Sequence, residues 1–132
     1  MTETNKKYFE AVGRRKTSVA RVRITPSTKT SIRINDKSLV DYFTVKEDQA
    51  SVNAPLDESD QNFEITVITQ GGGVASQAIA VRHGIARAMM GYSAGLRTPL
   101  KKLGFLKRDP RAKERRKPGR KKARKGPRWS KR

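Results

Sequence analysis

The stretch that decides the fold runs from residue 63 to residue 90 and reads FEITVITQGGGVASQAIAVRHGIARAMM. Residues 63–69 alternate between apolar and polar side chains, with Phe63, Ile65 and Val67 on one face, which predicts a half-buried β-strand. After three glycines, apolar residues recur at helical spacing and predict a long α-helix that ends at Gly91. The residues of its buried face are Val74, Ala78, Val81, Ile85 and Met89.

Gly71, Gly72 and Gly73 join the strand to the helix, and two interpretations of them stay open. Glycines permit a tight strand-to-helix turn, because they adopt backbone conformations that other residues avoid. A glycine loop ahead of a helix can also hold phosphate on its backbone N–H groups. A P-loop additionally needs Lys followed by Ser or Thr, which is missing here, so the tight turn is favoured.

The residue types that carry catalysis or bind metals are sparse. The chain has no cysteine and one histidine. His83 falls on the opposite side of the predicted helix from Val74, so we expect an exposed polar residue and not a general base. Asp57, Glu58 and Asp60 predict an exposed acidic loop, but they lack the histidine or glycine-bent loop of a metal site. The sequence therefore predicts no catalysis, no metal and no cofactor.

Alternating patterns upstream predict three further strands, so that the sheet would have four. Their ranges are 7–12, 18–25 and 30–34. Short helices complete the domain, because Ser38 can cap one that reaches Phe43 and another covers residues 46–52. Thr98-Pro99 has the capping and first-turn signature of a last helix over residues 100–103, stopped by Gly104.

Two clusters of cations lie in the predicted sheet. The alternation breaks from Gly13 to Lys16, which indicates a basic connection between two antiparallel strands. Its cations contact nucleic acid or are solvated in a turn; they are Arg14, Arg15 and Lys16. The second cluster points outward from the strands and forms either a basic sheet face or an ordinary solvated face; it comprises Arg21, Arg23 and Arg33.

The end of the chain carries most of the charge. Residues 101–132 hold 17 Lys/Arg against Asp109 and Glu114, which gives this segment +15 of the chain's net charge of +19. So charged a segment cannot bury enough apolar surface to offset its ordering entropy, and we expect it to be disordered alone and ordered against a polyanion. Pro118 and Pro127 argue against one long basic helix. The predicted organisation is a flexible N-terminus, a globular body and a basic tail, over residues 1–6, 7–104 and 105–132.

The charge points to nucleic acid as the partner, since the sequence pI is about 11.0. A membrane is disfavoured, because no apolar run approaches the roughly 20 residues of a span and the tail has no amphipathic stripe. A DNA-compacting protein with a histone-like tail would need dimerisation or apolar wedges for the minor groove. A small-molecule kinase also places a glycine-rich loop before a helix, but this chain is too short for such a catalytic domain.

Three blocks of residues together resemble a known family. The first is GRRKTSVARV at residues 13–22, and the second joins GGG at residues 71–73 with HGIARA at residues 83–88. The third consists of LKKLGFL at residues 100–106, RDPR at 108–111, ERRK at 114–117 and SKR at 130–132. In this order, and over nearly the whole chain, they resemble the bacterial form of the ninth protein of the small ribosomal subunit, the S-nine family.

The resemblance implies an α/β (α+β) fold of the ribosomal S-five second-domain type, with a four-stranded sheet and helices on one face. It also implies a non-enzymatic structural protein in the head of the small subunit, in the cytoplasm, bound to ribosomal RNA beside other head proteins and without a small-molecule substrate. The tail would reach the peptidyl-site tRNA, and Ser130, Lys131 and Arg132 match the residues that touch it.

The chemistry of the basic residues agrees with this implication. Arginine binds phosphate with a two-pronged fork, and lysine supplies a mobile point charge. Trp129 can stack on a base or ribose, or it can pack on another protein. The residues predicted to bind ribosomal RNA are cations from the first block and the tail: Arg14, Arg15, Lys16, Arg108, Arg111, Arg115, Arg116, Lys117, Arg120, Lys121, Lys122, Arg124, Lys125 and Arg128.

Overall fold

A computed structural model describes residues 8–108, 110–111 and 114–126. The predicted flexible N-terminus over residues 1–6 lies outside the described residues, as do Arg128, Trp129 and the terminal tripeptide. In the described part of the chain the strands are β1 (Phe9–Arg15), β2 (Ser18–Ser27), β3 (Ser31–Ile34), β4 (Lys37–Ser38) and β5 (Asn62–Gln70). The helices are α1 (Leu39–Tyr42), α2 (Lys46–Asn53), α3 (Val74–Tyr92) and α4 (Arg97–Lys102), with 3-10 turns at Ala54–Glu58 and Ala94–Leu96.

The strands form one sheet in the order β1-β2-β5-β3-β4. Neighbouring strands are antiparallel except β3 and β5, which run parallel. The parallel pair requires a long connection, and the chain between the two strands supplies β4, α1, α2 and a 3-10 turn. The protein is therefore a small mixed α+β domain.

The sheet has five strands and not the predicted four, and the extra strand is β4. Asn35 and Asp36 both have positive φ, 49° and 66°, which is the backbone of a two-residue hairpin turn. This turn folds Lys37 and Ser38 back against β3, where Ile34 pairs with Lys37. Because a strand of two residues has no alternation, periodicity could not predict it.

The strand and the long helix of the opening stretch form the core. Phe63, Ile65 and Val67 are buried, as predicted. Four of the five predicted core positions of α3 are buried as well, but Val74 is 52% exposed because it is the first residue of the helix. The helix ends at Tyr92, one residue beyond the predicted end at Gly91. Its last backbone bond runs from the Ser93 N–H to the Met89 carbonyl.

The other predicted helices are present with shifted bounds. Ser38 caps α1, since its Oγ accepts the Asp41 N–H at 3.3 Å. The prediction for residues 46–52 is confirmed by α2. Thr98 is not a capping residue, because α4 already begins at Arg97. The 3-10 turn that ends at Leu96 leads straight into α4 and replaces the expected cap.

Gly13 does not break its strand, so the predicted basic connection from Gly13 to Lys16 is wrong in its bounds. Strand β1 continues to Arg15, and the hairpin turn is formed by Lys16 and Thr17. Gly13 instead marks the closest approach of β1 to α3, where a Cβ would lie 1.8 Å from the Ala80 carbonyl oxygen. Gly13 is therefore required by the packing of β1 on α3 and not by a turn.

The glycines before α3 support the tight-turn interpretation. Gly71 and Gly72 have φ of 81° and 64°, in the left-handed region that glycine favours. The Gly71 carbonyl accepts hydrogen bonds from Ser18 Oγ at 2.9 Å and from Gln77 Nε2 at 3.0 Å. These bonds fix the turn against β2 and α3.

The first residues beyond α4 pack on the rest of the domain. Phe105 and Leu106 pack against the core cluster. In residues 103–108, 110–111 and 114–126 the structure has turns and bends but no helix or strand. No helix within the described residues is both long and apolar enough to cross a membrane.

Candidate nucleic-acid interface

The hairpin between β1 and β2 holds three predicted RNA-binding cations in different surroundings. Arg14 and Lys16 are exposed, and Lys16 lies at the turn with φ of 55°. Arg15 is half-buried, and its Nη1 donates to the carbonyl oxygen of Arg111 at 2.8 Å. Arg15 therefore holds the chain at Arg111 beside the hairpin. Of the three predicted cations, Arg14 and Lys16 are the two that remain exposed.

His83 lies beneath the same segment, and its predicted exposed position is wrong. The side chain is 8% exposed, its Nδ1 accepts the Arg14 backbone N–H at 3.4 Å, and it also hydrogen-bonds to the backbone of Leu106. The helical wheel failed because residues 105–106 cover a second side of α3. The Arg82 guanidinium, 5.1 Å from the ring centre of Phe105, extends this cover.

The surroundings of His83 keep its imidazole neutral. Burial lowers the pKa of His83 below its ordinary value of 6.5, and the charges of Arg87 and Arg108 lower it further. A hydrogen bond to the Leu106 backbone raises the pKa but does not offset this lowering. A neutral imidazole can accept the Arg14 N–H at one nitrogen and donate from the other, whereas the cation can only donate. Neutral His83 thus links the hairpin to the base of the tail.

This arrangement predicts that the free energy of unfolding depends on pH through His83, and that His83→Gln removes this dependence. Well above pH 6.5 the imidazole is neutral in both the folded and the unfolded chain. As the pH falls through 6.5 the unfolded chain takes up a proton first, so the free energy of unfolding falls. At pH 7.5 the variant should be less stable by about 1 kcal/mol, because it loses native hydrogen bonds. Urea unfolding at pH 7.5, 6.5 and 5.5 should show this difference narrowing as the pH falls. A difference that stays constant would contradict a depressed pKa.

The described cations of the tail are exposed, as an RNA-binding segment requires. Those predicted to bind ribosomal RNA are Arg108, Arg111, Arg115, Arg116, Lys117, Arg120, Lys121, Lys122, Arg124 and Lys125. Glu114 pairs with Lys117 at 3.2 Å and with Arg124 at 2.7 Å. Exposed ion pairs contribute only about 0–1 kcal/mol, so a phosphate can displace them at little cost. The remaining predicted residues, Arg128, Ser130, Lys131 and Arg132, lie outside the described residues.

The outward sheet face carries the second predicted cluster of cations, but much of its charge is paired. Glu10 forms salt bridges with both Arg21 and Arg23. The Arg21 hydrogen bond lowers the pKa of Glu10, and the charges of both arginines add to this. Arg23 also lies 4.8 Å from the ring centre of Tyr8. The solvated, internally paired face is therefore the better description.

Sequence reasoning missed four further cations, three on the body and Lys107 near the start of the tail. Arg97 and Lys101 lie on α4, and Arg87 lies on α3 with its Nη1 donating to the Val12 carbonyl oxygen at 2.6 Å. Lys107 follows the turn after α4. The one local signal was the spacing of Arg97 and Lys101, which places them on one face of a helix. Their proximity to Arg87 depends on how α4 packs, which no sequence period indicates.

A small α+β domain whose exposed cations continue from a hairpin into an irregular basic segment is a nucleic-acid-binding protein. A family model described as ribosomal protein S9/S16 matches residues 13–132. The chain belongs to this family. The three sequence blocks named above lie within the matched residues, so the recognition made from them is confirmed.

Family membership sets the general role of the protein. It is a structural constituent of the ribosome that binds ribosomal RNA, contacts other ribosomal proteins and takes part in translation as part of a ribonucleoprotein. Its location is the ribosome. Proteins of this family are generally not enzymes.

Proposed function

We propose that this protein sits in the head of the small ribosomal subunit, binds ribosomal RNA with its hairpin and tail, and contacts the peptidyl-site tRNA with its last three residues. The head location and the tRNA contact rest on the resemblance to the family, and the observation that carries the joint role of hairpin and tail is the bond between Arg15 and the Arg111 carbonyl. It places the base of the tail next to Arg14 and Lys16, so the exposed charge of the hairpin adjoins that of the tail. A polyanion that binds one can reach the other without a gap.

The proposed contacts to ribosomal RNA are the cations predicted from the sequence, with Arg15 in a changed role. Its side chain orients the tail through Arg111 and adds charge behind Arg14 and Lys16. The proposal includes a division into a flexible start, a body over residues 7–104 and a tail over residues 105–132. It further includes a cytoplasmic location, a fold of the S-five second-domain type, and a role without catalysis or a small-molecule substrate.

The tRNA contact is tested by deleting Ser130, Lys131 and Arg132 alone. The truncated protein should still sediment with small subunits, because 15 of the 17 cations in residues 101–132 remain. Well-formed charge-assisted hydrogen bonds contribute about 1.5–3 kcal/mol each, but the entropy lost on ordering these residues opposes them. We expect a net loss of about 0.5–2 kcal/mol, or roughly two- to thirtyfold in tRNA affinity.

The measurement is filter binding of tRNA to purified small subunits at several salt concentrations. A matched control, Lys121→Gln with Lys122→Gln, removes two charges from the middle of the tail, and it should leave tRNA affinity nearly unchanged. Equal tRNA affinity for intact and truncated subunits would remove the terminal residues from the tRNA site. Failure of the intact chain to sediment with small subunits would overturn the proposed location itself.

A further inference from the structure

A groove lies where the second half of α3, helix α4 and the turn after α4 meet. Its volume is about 560 Å³, within the usual range of small-ligand sites. The lining residues are of two chemical kinds. Met90, Leu106 and the Gly104 backbone are called the apolar floor here, and the cations, called the rim, are Arg87, Arg97, Lys101 and Lys107.

The groove is open at the glycine. Gly104 has φ of 80°, and a Cβ built on it would meet no atom within 4 Å. The wall of the groove at this point is therefore bare backbone facing open space. Leu106 is half-buried because it also packs against the core, so the floor is fixed and not a loose side chain. A flat group can enter beside Gly104 and lie against Met90 and Leu106.

Positive charge continues from both ends of the groove. A cavity of about 400 Å³ shares Gly104 and Lys107 with it and adds Arg82, Arg108 and Arg111. A third cavity, of about 520 Å³, shares Arg97 and Lys101 and adds Lys102. Among the described residues no carboxylate lines any of the three. The result is a path of cations that runs past one apolar depression.

We propose that the groove holds one unpaired nucleotide of the ribosomal RNA, with its base on Met90 and Leu106 and its flanking phosphates on the rim cations. The ligand class follows from the pattern of charge and apolar surface. RNA carries an anion at every residue, so it can occupy the whole path, and an unstacked base offers a flat face to the floor. An acidic peptide would need a carboxylate at nearly every position to match the same cations.

The inference rests on the proposed function, because it takes the RNA that binds the tail as the RNA that enters the groove. It adds recognition of RNA shape by the groove to the binding of RNA through the charge of the tail. The site would select a strand with an extruded nucleotide at a fixed distance from the contacts of Arg108 and Arg111. Double-stranded RNA presents no unstacked base. Its phosphates could contact the cations of the rim, but no base would cover Met90 and Leu106.

A photoreactive residue on the floor tests the proposal in assembled particles. Full-length protein with p-benzoylphenylalanine in place of Met90 is purified within small subunits and irradiated. The expected product is a crosslink to one unpaired nucleotide of ribosomal RNA, located by primer extension. The same residue in place of Val40, which is 62% exposed on α1, should not crosslink to that nucleotide. A crosslink to a protein, or none, would overturn the groove as a nucleotide site.

A second measurement on the free full-length chain guards against a folding defect at residue 90. The probe is a short RNA hairpin with one bulged 2-aminopurine, and its fluorescence should change on binding. Arg97→Gln with Lys101→Gln should weaken binding about tenfold, since two phosphate contacts are lost. Lys29→Gln with Lys37→Gln removes the same charge from the β2–β3 turn and β4, and we expect less than about a threefold loss.

The two outcomes separate the groove from the general role. Equal losses in the two charge-matched variants, or an unchanged 2-aminopurine signal, would reject the nucleotide site while leaving tail-mediated RNA binding intact. Absence of the unmodified chain from small subunits would instead reject the proposed function.

Discussion

Replacing Gly13 with alanine should destabilise the protein by about 3 kcal/mol or more. The new Cβ would lie 1.8 Å from the Ala80 carbonyl oxygen and 2.4 Å from the Gly84 nitrogen. Both are backbone atoms of α3, so no side chain can rotate away and strand and helix must separate. Overpacking usually costs about 1–3 kcal/mol, and a clash with backbone belongs at the upper end or beyond. That is a large share of the roughly 5–15 kcal/mol by which a domain is stable.

Gly91→Ala is the matched control, because it adds the same methyl group to a glycine near the end of α3. A Cβ there would meet only the Phe9 ring edge, at 4.0 Å. The variant should be stabilised by a few tenths to about 1 kcal/mol, as alanine favours helix over glycine. Urea unfolding of both variants gives the comparison. A loss below about 1 kcal/mol for Gly13→Ala would show that β1 and α3 can move apart cheaply.

Removing residues 107–132 should have the largest effect on function. The deletion takes away 15 Lys/Arg and two acids. Each neutralised phosphate contributes roughly 0.7–0.9 to the slope of log affinity against log salt, so ten tail contacts give a slope of about 7–9. Without the tail the slope should fall to about 2–4, and affinity near 100 mM salt should fall about a hundredfold or more.

Filter binding of full-length and truncated protein to one RNA fragment from 50 to 300 mM salt measures both quantities. A control chain with residues 112–132 in shuffled order keeps the charge and should keep the slope, even if it loses function in the ribosome. Circular dichroism should show that the body stays folded without the tail. An unchanged slope would move the RNA contacts to the body, with Arg14, Lys16, Arg21 and Arg23 as the first candidates.

Local periodicity was sufficient where one face of an element determined its burial. Phe63, Ile65 and Val67 alternate because one side of β5 is buried. In α3 the helical spacing predicted the burial of Ala78, Val81, Ile85 and Met89, but Ala80, Gly84, Ala86 and Ala88 are buried as well. Periodicity failed at His83, since a segment more than 20 positions downstream covers a second side of the helix. A helical wheel drawn from α3 alone contains no information about that cover.

The charge of the candidate site could be predicted from the sequence, but the spatial arrangement of its residues could not. The basic composition of residues 101–132 was enough to indicate a polyanion as partner. The role of Arg15 was not, because its partner is a backbone carbonyl 96 positions away, and a carbonyl leaves no trace in the residue types. The groove beside Met90 was missed for a similar reason, as its seven lining residues come from three elements brought together by tertiary packing.

The bond from Arg15 to the Arg111 carbonyl fixes the origin of a tether. The residues after Arg111 can span at most roughly 75 Å when fully extended. In the proposed function, residues 112–132 can therefore contact only RNA that lies within that radius of the hairpin. If residues 130–132 bind tRNA as proposed, that binding is an intramolecular event at an effective concentration of about millimolar, so contacts too weak to form between separate molecules would be occupied. The length of the tail is therefore as much a determinant of its target as its charge.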